Sequence, residues 1–572
     1  MLFISALIGV YFAFFAKTKQ NTTKEYLMGG KTMGIFPVSM SLIASYISGI
    51  TILGVPAEMY VYGTQLWIQI LPEIFSTLTM SYFFLPVFYE LQITSTYEYL
   101  KLRFNSRVRL FGSIIFVVKI LLYIPIVIYV PALAFSQVTG FNLHLITPIT
   151  CIICIFYTTL GGMKAVVWTD TIQVLVMYGA SLVVMVLGTI KVGGFGTVIE
   201  RNQQSDRLEF FNFDLDPTVR HTFWTVCIGS FVSWLSYCSV NQAMVQRCLS
   251  MPTLKMANKT ALILAFGIIA IVSMSCYTGL VIYALFYDCD PITTKQIKKP
   301  DQLLPYFVMN IAEWIPGLPG LFLSGVFSAA LSTMSTGMNS VAGVIFEDMI
   351  KPNLSKNVTE KTASTIMKII VVIFGTICVG LVFVVEKMGT LTQAAKSMSS
   401  ITAGPLLGIF ILGMFFPWAN STGAFIGGVF GLCLTAWISI GTQAAMAMGS
   451  IRNIPKPVSI DGCIENLYMQ FNTTSPIIEQ LNPPFFLYRV SYLYYVVIGM
   501  LFTISTGLFI SFLTGFNDIH KMEKSLFSPI IRSCILTKKS DDGSLAMKKV
   551  TINSTKHEST TTDNDKVEKI KS

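Results

Sequence analysis

Long apolar stretches separated by short polar breaks follow one another along most of the 572 residues. A run of about 18 or more apolar residues is long enough to cross ~30 Å of hydrocarbon as an α-helix. The pattern therefore predicts a chain that crosses a membrane many times, beginning with a short anchor helix. The thirteen predicted spans are 1–16, 35–62, 66–90, 111–138, 145–160, 171–191, 222–246, 261–287, 316–346, 363–385, 397–416, 422–441 and 487–513.

The composition supports this interpretation. Apolar residues make up 53% of the chain and charged residues 12%, whereas about a quarter of the residues in a soluble protein are charged. Neither a soluble enzyme nor a β-barrel fits, so the predicted fold class is an all-α polytopic membrane protein.

Lysine and arginine concentrate in alternate loops and in the tail. Because cytosolic loops carry the excess of these residues, the C-terminus is predicted to be cytosolic and the N-terminus extracellular. The net charge of +10 then reflects topology and a basic tail beside the lipid bilayer, and no nucleic-acid partner is expected. The tail, 516–572, is polar and poor in aromatic residues, which predicts a disordered regulatory segment whose partner proteins are unknown.

Two features concern the predicted extracellular loops. Asn472 begins an Asn-Thr-Thr triplet and is a candidate glycan acceptor, although equivalent triplets also occur in loops predicted to be cytosolic. Cys289 and Cys463 both fall in extracellular loops, where a disulfide can form. The sequence leaves open whether these two cysteines pair.

No catalytic centre is evident in the sequence. The segment 25–32 has Glu25 where a phosphate-binding loop needs its first glycine, and no paired-cysteine metal motif occurs. A polytopic chain with more than seven spans and no enzyme signature is interpreted as a transporter. No enzymatic activity and no organic cofactor are expected.

Broken helices in transporters offer backbone carbonyls to a cation and helix ends to a substrate. Two spans carry this signal. The second contains Gly49 and Pro56, which weaken or remove helical hydrogen bonds, and the ninth is dense in Ser, Thr and Gly between 327 and 340. For the second span, a kinked and closely packed helix is the alternative.

Three residues of the ninth span, Ala329, Ser332 and Thr333, share one helix face because they are spaced i, i+3 and i+4. Their oxygens, added to the carbonyls of Ala44 and Ile47, would form a shell suited to a hard monovalent cation. The alternative is that the hydroxyls bond back to their own helix, which is common for Ser and Thr.

Ionisable residues inside a bilayer are costly and therefore mark functional candidates. The predicted spans contain Glu58, Glu73, Lys119, Lys368 and Lys396. Snorkelling or structural pairing accounts for Lys119 and Lys368, and Lys396 lies near the end of a span. The three lysines are given no role.

Four segments, 95–100, 161–173, 241–247 and 331–336, carry a family resemblance. On these segments the chain resembles the sodium:solute symporters, from about residue 23 to 515. The resemblance implies Na⁺ as the coupling ion and a LeuT-type core of two inverted five-helix repeats. The implied domains are an N-terminal anchor helix and cytosolic loop (1–34), a first repeat (35–192), an extracellular loop (193–221), a second repeat (222–416), two C-terminal helices with an extracellular loop at 442–486 (417–515), and the tail (516–572).

The resemblance also implies positions for the two sites. The principal sodium site falls on Ala44, Ile47, Ala329, Ser332 and Thr333, which is the shell already derived from spacing. The substrate cavity falls on Tyr46, Thr51, Val55, Gln69, Glu73 and Trp234. Thr51 and Gln69 would donate hydrogen bonds and Tyr46 and Trp234 would form apolar walls, whereas an acidic Glu73 beside an anion is unexplained.

Within the family, segments 52–58 and 404–413 look like the monocarboxylate, multivitamin and iodide branch. This implies a plasma-membrane symporter that uses sodium to import a small organic anion, a monocarboxylate or a vitamin such as pantothenate or biotin, by alternating access. A glucose- or inositol-type symporter is the alternative within transport. A non-transporting solute sensor or a sodium-leak channel on the same scaffold is the alternative from another class.

Overall fold

The computed structural model describes residues 2–15, 22–31, 33–312, 315–354, 359–385, 391–451, 453–463, 484–519 and 522–533. Within these ranges the chain is mostly helical and contains no β-strand. Asn472 and the tail beyond residue 533 lie outside the described residues. Glycosylation of Asn472 and disorder of the distal tail therefore stay predictions.

The helices follow one another with short connections. Those of the first half are α1 (Leu2–Val10), α2 (Thr23–Met28), α3 (Ile35–Tyr46), α4 (Gly49–Tyr62), α5 (Ile70–Thr79), α6 (Leu85–Leu91), α7 (Glu98–Arg103), α8 (Ser106–Thr139), α9 (Leu143–Val192) and α10 (Phe195–Gln204). Those of the second half are α11 (Phe223–Val240), α12 (Gln242–Leu249), α13 (Leu254–Leu285), α14 (Leu303–Ala312), α15 (Leu318–Val344), α16 (Glu360–Val385), α17 (Leu391–Phe415), α18 (Ser421–Ala447), α19 (Phe486–Arg489) and α20 (Tyr495–Thr514).

Ten helical runs among the described residues are long and apolar enough to cross a membrane. The number rises to eleven if the bent pair of α3 and α4 is counted as one further span. The protein is therefore a multi-pass membrane protein, as predicted. Helix α9 has 50 residues, a length of ~75 Å, and its backbone breaks at Gly162 with φ 52° and ψ −154°. This break lies between the predicted spans 145–160 and 171–191. The predicted total of thirteen spans is not confirmed, since α1 is too short to pass the same test.

The predicted break in the second span is confirmed. Helix α3 ends at Tyr46, Ile47 and Ser48 are extended, and α4 begins at Gly49 at an angle of 56° to α3. Pro56 lies inside α4 and does not end it. The break therefore depends on the extended Ile47–Ser48 pair that precedes Gly49.

The expectation of a broken ninth span is wrong, because α15 runs without interruption from Leu318 to Val344. Several of its hydroxyl groups bond back to carbonyls one turn earlier, as Ser328 does to Ser324 at 2.6 Å, and leave the helical ladder intact. The second break lies instead between α11 and α12. Asn241 is extended there, with φ −76° and ψ 122°, and its side chain accepts a hydrogen bond from the Ala243 amide at 3.0 Å.

Three arginines in segments predicted to be cytosolic loops are buried, and their guanidinium groups bond to residues elsewhere in the chain. Arg109 forms an ion pair with Asp348. Arg103 donates to the Gly413 carbonyl at 2.9 Å, and Arg247 is 1% exposed within α12. These guanidinium groups connect helices rather than facing water.

The start of the C-terminal tail is ordered, so the expectation of disorder for all of 516–572 is wrong for residues 522–533. Tyr99 donates a hydrogen bond to the Leu526 carbonyl at 3.0 Å, and the Ser528 amide donates to the Met414 carbonyl at 3.1 Å. Leu526 and Phe527 are buried. These two apolar side chains anchor the segment to the helical bundle.

A disulfide joins Cys289, in the loop after α13, to Cys463, in the loop after α18. The pairing that the sequence left open is therefore made. Next to it, the Tyr60 hydroxyl at the end of α4 donates to Asp290 at 2.6 Å. The disulfide thus lies on the side of the molecule where α4 ends, and this side is called the disulfide side below.

Candidate functional site

The oxygens of the predicted cation shell come together where α15 passes the break between α3 and α4. Thr333 Oγ1 lies 3.5 Å from the Ile47 carbonyl oxygen and 3.0 Å from the Ala329 carbonyl oxygen. Because α3 ends at Tyr46, the carbonyls of its last turn, including that of Ala44, lack ordinary helical partners. Carbonyl and hydroxyl oxygens without a charged ligand suit a monovalent cation such as Na⁺.

Ser332, the remaining residue of the predicted shell, has a buried hydroxyl that lies beside the Asp170 carboxylate but makes no hydrogen bond of good geometry with a described residue. Buried hydroxyls are normally bonded, so such a group requires an explanation. A cation in the shell would be a partner for this oxygen. Thr333 differs, because its hydroxyl already donates a hydrogen bond to the Ala329 carbonyl on its own helix. This bond back to the same helix is the arrangement that the sequence offered as the alternative to a cation shell.

A buried charged network adjoins the shell and joins four helices. Asp170 Oδ2 accepts hydrogen bonds from Ser41 Oγ at 2.6 Å and from Arg247 Nη2 at 3.3 Å. Arg247 also donates to Thr336, whose hydroxyl lies 2.8 Å from Ser45 Oγ. The network fixes α3, α9, α12 and α15 relative to one another. The sequence analysis missed it because Asp170 and Arg247 lie in segments that it assigned to loops.

A cavity of 240 Å³ lies beside the shell, and Thr333 contributes to both. Val55, which was predicted to contribute to the cavity, is buried in the apolar core around α4 and does not line it. The other five predicted substrate residues line the cavity: Tyr46, Thr51, Gln69, Glu73 and Trp234.

Three aromatic rings form one wall of the cavity. The ring centroids of Tyr46 and Trp234 are 4.3 Å apart in an edge-to-face arrangement, and Trp234 stacks on Tyr237 at 5.4 Å. Trp234 Nε1 donates to Thr77 at 2.9 Å, so the indole is held by a polar contact at its far edge. The wall presents mainly ring surface to the cavity.

Thr51 and Gln69 contribute polar groups that are not used by the protein itself. The side chains of both residues line the cavity, and neither makes a hydrogen bond with a residue that the structure describes. An unbonded hydroxyl and an unbonded amide beside an apolar wall are the groups expected to orient a small polar solute.

The cavity also contains three of the ionisable residues identified in the sequence: Glu73, Lys119 and Lys396. Tyr46 donates a long hydrogen bond of 3.5 Å to Glu73 Oε1, and Glu73 Oε2 has no partner among the described residues. Lys368 lies outside the cavity lining.

A cluster of charged and aromatic residues lies toward the disulfide side of the cavity. Glu58, near the end of α4, accepts a hydrogen bond from Arg220 at 2.7 Å. The Arg220 guanidinium lies over the ring of Tyr62 at 4.3 Å and over that of Tyr492 at 5.0 Å. Tyr492 itself lines the cavity. The cluster therefore covers one end of the cavity.

An oxygen shell at a broken helix, beside a small polar and aromatic cavity in a bundle of membrane helices, is typical of an ion-coupled secondary transporter. Comparison with known proteins gives the family. The model of the sodium:solute symporter family matches residues 26–431, so the chain belongs to the sodium:solute symporter family. It is a transporter rather than an enzyme, and Na⁺ is its coupling ion.

The curated relatives are similar over most of their length. The chain is 42% identical to sodium-coupled monocarboxylate transporter 2 of Mus musculus, across 94% of this chain and 86% of that protein. It is 42% identical to sodium-coupled monocarboxylate transporter 1 of Homo sapiens, across 90% and 86%. Identity to the human sodium/iodide cotransporter is 38%, across 90% and 82%.

Among solved structures, the fold matches that of a Na⁺-coupled sialic acid symporter in a substrate-bound outward-open state. The TM-score is 0.73 at 23% identity, and the match covers 90% of this chain and 97% of the other. The predicted fold class, an all-α membrane protein of the LeuT type, is therefore confirmed. At this identity the likeness concerns the fold alone.

Proposed function

We propose that the protein imports a small monocarboxylate together with sodium by alternating access. The observation that carries this proposal is the contact between the oxygen shell and the cavity, with Thr333 in both. A cation and a solute bound side by side can each raise the affinity for the other, which is the coupling that a symporter requires. The names of the relatives at about 42% identity support a monocarboxylate.

The size of the cavity also favours a short acid. Its volume of 240 Å³ is below the ~300–1,000 Å³ that is usual for pockets of drug-sized ligands. Thr51 and Gln69 would bind the polar end of the acid, and the Tyr46–Trp234 wall would contact its carbon chain.

The proposed orientation places the N-terminus outside the cell, the C-terminus in the cytosol and the protein in the plasma membrane. The disulfide between Cys289 and Cys463 supports this orientation, because disulfides persist in oxidising compartments. The loops that it joins are those assigned to the extracellular side from the lysine and arginine distribution.

Voltage-clamp current in cells that express the protein tests the proposal. Acetate, lactate, pantothenate and glucose are applied in sodium medium and then in choline medium, with isotope uptake in parallel. One Na⁺ with one monovalent anion moves no net charge, so a current requires at least two Na⁺ per anion. A tenfold sodium gradient supplies ~1.4 kcal/mol per ion, and 60 mV adds ~1.4 kcal/mol per net charge.

Sodium-dependent uptake of acetate or lactate is the expected result. The variant Ser332→Ala should lose it, whereas Ser324→Ala should not. Ser324 is a matched control on the same helix, since its exposed side chain bonds only to Gly320 and Leu321 among the described residues. Uptake of glucose alone would indicate a polyol symporter, and no uptake of any solute by protein at the cell surface would contradict the proposal.

A further inference from the structure

Three ionisable side chains line the substrate cavity, and each comes from a different part of the fold. Glu73 lies on α5, Lys119 on α8 and Lys396 on α17. If all three are ionised, the cavity carries one excess positive charge. Charge in a low-dielectric cavity is costly unless a countercharge is close. The question is therefore which countercharge, if any, balances the positive charge of each lysine.

Lys396 has countercharges within the protein. The two carboxylates that act on it electrostatically are Glu58 and Glu73. Glu58 already binds Arg220 at 2.7 Å, and Lys396 forms no ion pair with a described residue, so Glu73 is the remaining countercharge that lines the same cavity. The Lys396 ammonium also lies 5.6 Å from the ring centroid of Tyr492, a distance at which a cation is attracted to an aromatic face.

Lys119 has no such compensation. It forms no hydrogen bond and no ion pair with any residue that the structure describes, yet it lines the cavity. It precedes Ile120, whose side chain packs against Gly337 of α15, one turn beyond Thr333. Lys119 therefore lies on the turn of α8 that contacts α15, whereas Lys396 lies beside Tyr492 of the cluster at the disulfide side.

We propose that the Lys119 ammonium binds the carboxylate of the transported anion. Leaving the sodium shell aside, two lysines, one glutamate and one monocarboxylate sum to zero charge, so binding of the substrate neutralises the ionisable side chains of the cavity. A dicarboxylate would leave a net negative charge and a neutral solute a net positive one. The arrangement selects a monoanion. This inference rests on the proposed function and identifies the group that recognises the substrate's charge.

The role of Glu73 follows from the same arrangement. An acidic group beside an anion site is repulsive by itself, but Lys396 lines the same cavity and acts on Glu73 electrostatically. When both are ionised, Glu73 and Lys396 together add no net charge to the cavity, and Lys119 remains as the uncompensated cation. The carboxylate of the substrate would then lie near Lys119 and the sodium shell, with its carbon chain along the Tyr46–Trp234 wall.

Uptake of radiolabelled lactate by Lys119→Gln, Lys119→Met and Lys119→Arg tests the proposal. Because no described residue pairs with Lys119, its replacement by a neutral side chain leaves no partner charge unbalanced, and both neutral variants are expected to fold. Their KM for lactate should rise by about tenfold or more, since hydrogen bonds to charged groups are the stronger ones. Lys119→Arg should stay within severalfold of the unmodified protein.

Lys368→Gln is the matched control, because Lys368 is a lysine within α16 that does not line the cavity. Its KM should stay within about twofold. A second measurement compares inhibition of lactate uptake by unlabelled lactate and by neutral lactamide. The unmodified protein should prefer lactate, and both neutral variants should lose this preference.

An unchanged KM in Lys119→Gln or Lys119→Met at normal surface level would overturn the inference. So would failure of both variants to reach the cell surface, because that would indicate a structural role for Lys119. If the unmodified protein takes up no monocarboxylate at all, the proposed function fails first. This outcome is distinct from normal uptake that does not depend on Lys119.

Discussion

The cation shell and the substrate cavity are neighbours, but they are built in different ways. The shell consists of backbone carbonyls and hydroxyl groups, placed by the break between α3 and α4 and by one face of α15. The cavity consists of side chains from seven or more elements and contains three ionisable groups. Thr333 is the residue at which they meet.

This difference has a physical basis. A monovalent cation needs several oxygens at short distance, and an unwound backbone supplies them without the desolvation of a charged ligand. An organic solute needs shape, a few directed hydrogen bonds and a matching charge, which only side chains supply. Changes to the shell should therefore abolish coupling, whereas changes to the cavity should alter affinity or selectivity.

The largest effect is expected when the charged network next to the shell is broken. Asp170→Asn would leave the fully buried Arg247 without its carboxylate. Removing one partner of a buried ion pair costs roughly 3–5 kcal/mol, so little folded protein should reach the cell surface. Surface biotinylation and size-exclusion profiles in detergent measure this directly.

The control for that substitution is Glu209→Gln, which breaks the ion pair with Lys456 at 2.8 Å. The Glu209 side chain is 42% exposed and that of Lys456 24%, and such surface pairs contribute about 0–1 kcal/mol. Its surface level should match that of the unmodified protein. If Asp170→Asn behaves in the same way as this control, the network does not hold the shell together.

The second-largest effect is expected from a substitution in the shell itself. Thr333→Val keeps the shape of the side chain but removes the hydroxyl that contacts Ile47 and Ala329. Loss of one oxygen to a cation should cost about 1.5–3 kcal/mol, the range for hydrogen bonds to charged groups, or roughly 13- to 150-fold in sodium affinity. Sodium activation of uptake at saturating substrate is the measurement.

An unchanged sodium dependence in Thr333→Val, at normal surface level, would remove Thr333 from the shell. Thr376→Val is a suitable comparison, because the hydroxyl of Thr376 is exposed on α16 and bonds only to Val372 among the described residues. It should have no effect on sodium activation.

The shell could be predicted from the sequence because its positions depend on local rules. Ala329, Ser332 and Thr333 follow the helical repeat, and Gly49 follows the extended residues that end α3. The many apolar runs also predicted the membrane fold. The break at Asn241 was missed, because a single extended residue in an otherwise helical span leaves no proline or glycine signal.

The buried charges could not be predicted for a different reason. The charges of these residues are balanced by partners that lie far away in the chain, 77 residues apart for Arg247 and Asp170 and 239 residues apart for Arg109 and Asp348. Because the local sequence pattern does not show such partners, it assigned Arg247, Asp170 and Arg109 to loops. Lys119 and Lys396 were recognised as unusual, but their common cavity depends on how α8 and α17 pack. Val55 was misplaced because the side of α4 that faces the cavity is fixed only by tertiary packing.

A smaller effect is expected from Gln69→Leu, which removes an amide that is unbonded within the described residues and lines the cavity. A neutral hydrogen bond contributes about 0.5–1.5 kcal/mol, so the KM for lactate should rise by roughly 2- to 13-fold. The sodium affinity at saturating lactate should stay unchanged, in contrast to Thr333→Val. An equal shift in both affinities would contradict the separation between shell and cavity.

The smallest effect on transport is expected from the double variant Cys289→Ser and Cys463→Ser. The disulfide closes a segment of 174 residues that contains α15 and α17, but neither cysteine lines the cavity, so its loss should cost about 2–4 kcal/mol of stability without altering KM. A lower melting temperature with lactate KM within about twofold is the expected result. A large change in KM would show that the disulfide side helps to shape the cavity.

The same two cysteines test the proposed orientation, in which the disulfide side and the cavity end covered by the cluster around Glu58 and Arg220 face the outside of the cell. In intact cells, a membrane-impermeant maleimide should label Cys289 and Cys463 only after mild reduction, because both thiols lie in loops proposed to be extracellular. The free cysteines Cys151, Cys154 and Cys238 are buried and should stay unlabelled. If labelling requires permeabilised cells, the disulfide side faces the cytosol, and the cluster around Glu58 and Arg220 would then cover the inner end of the cavity.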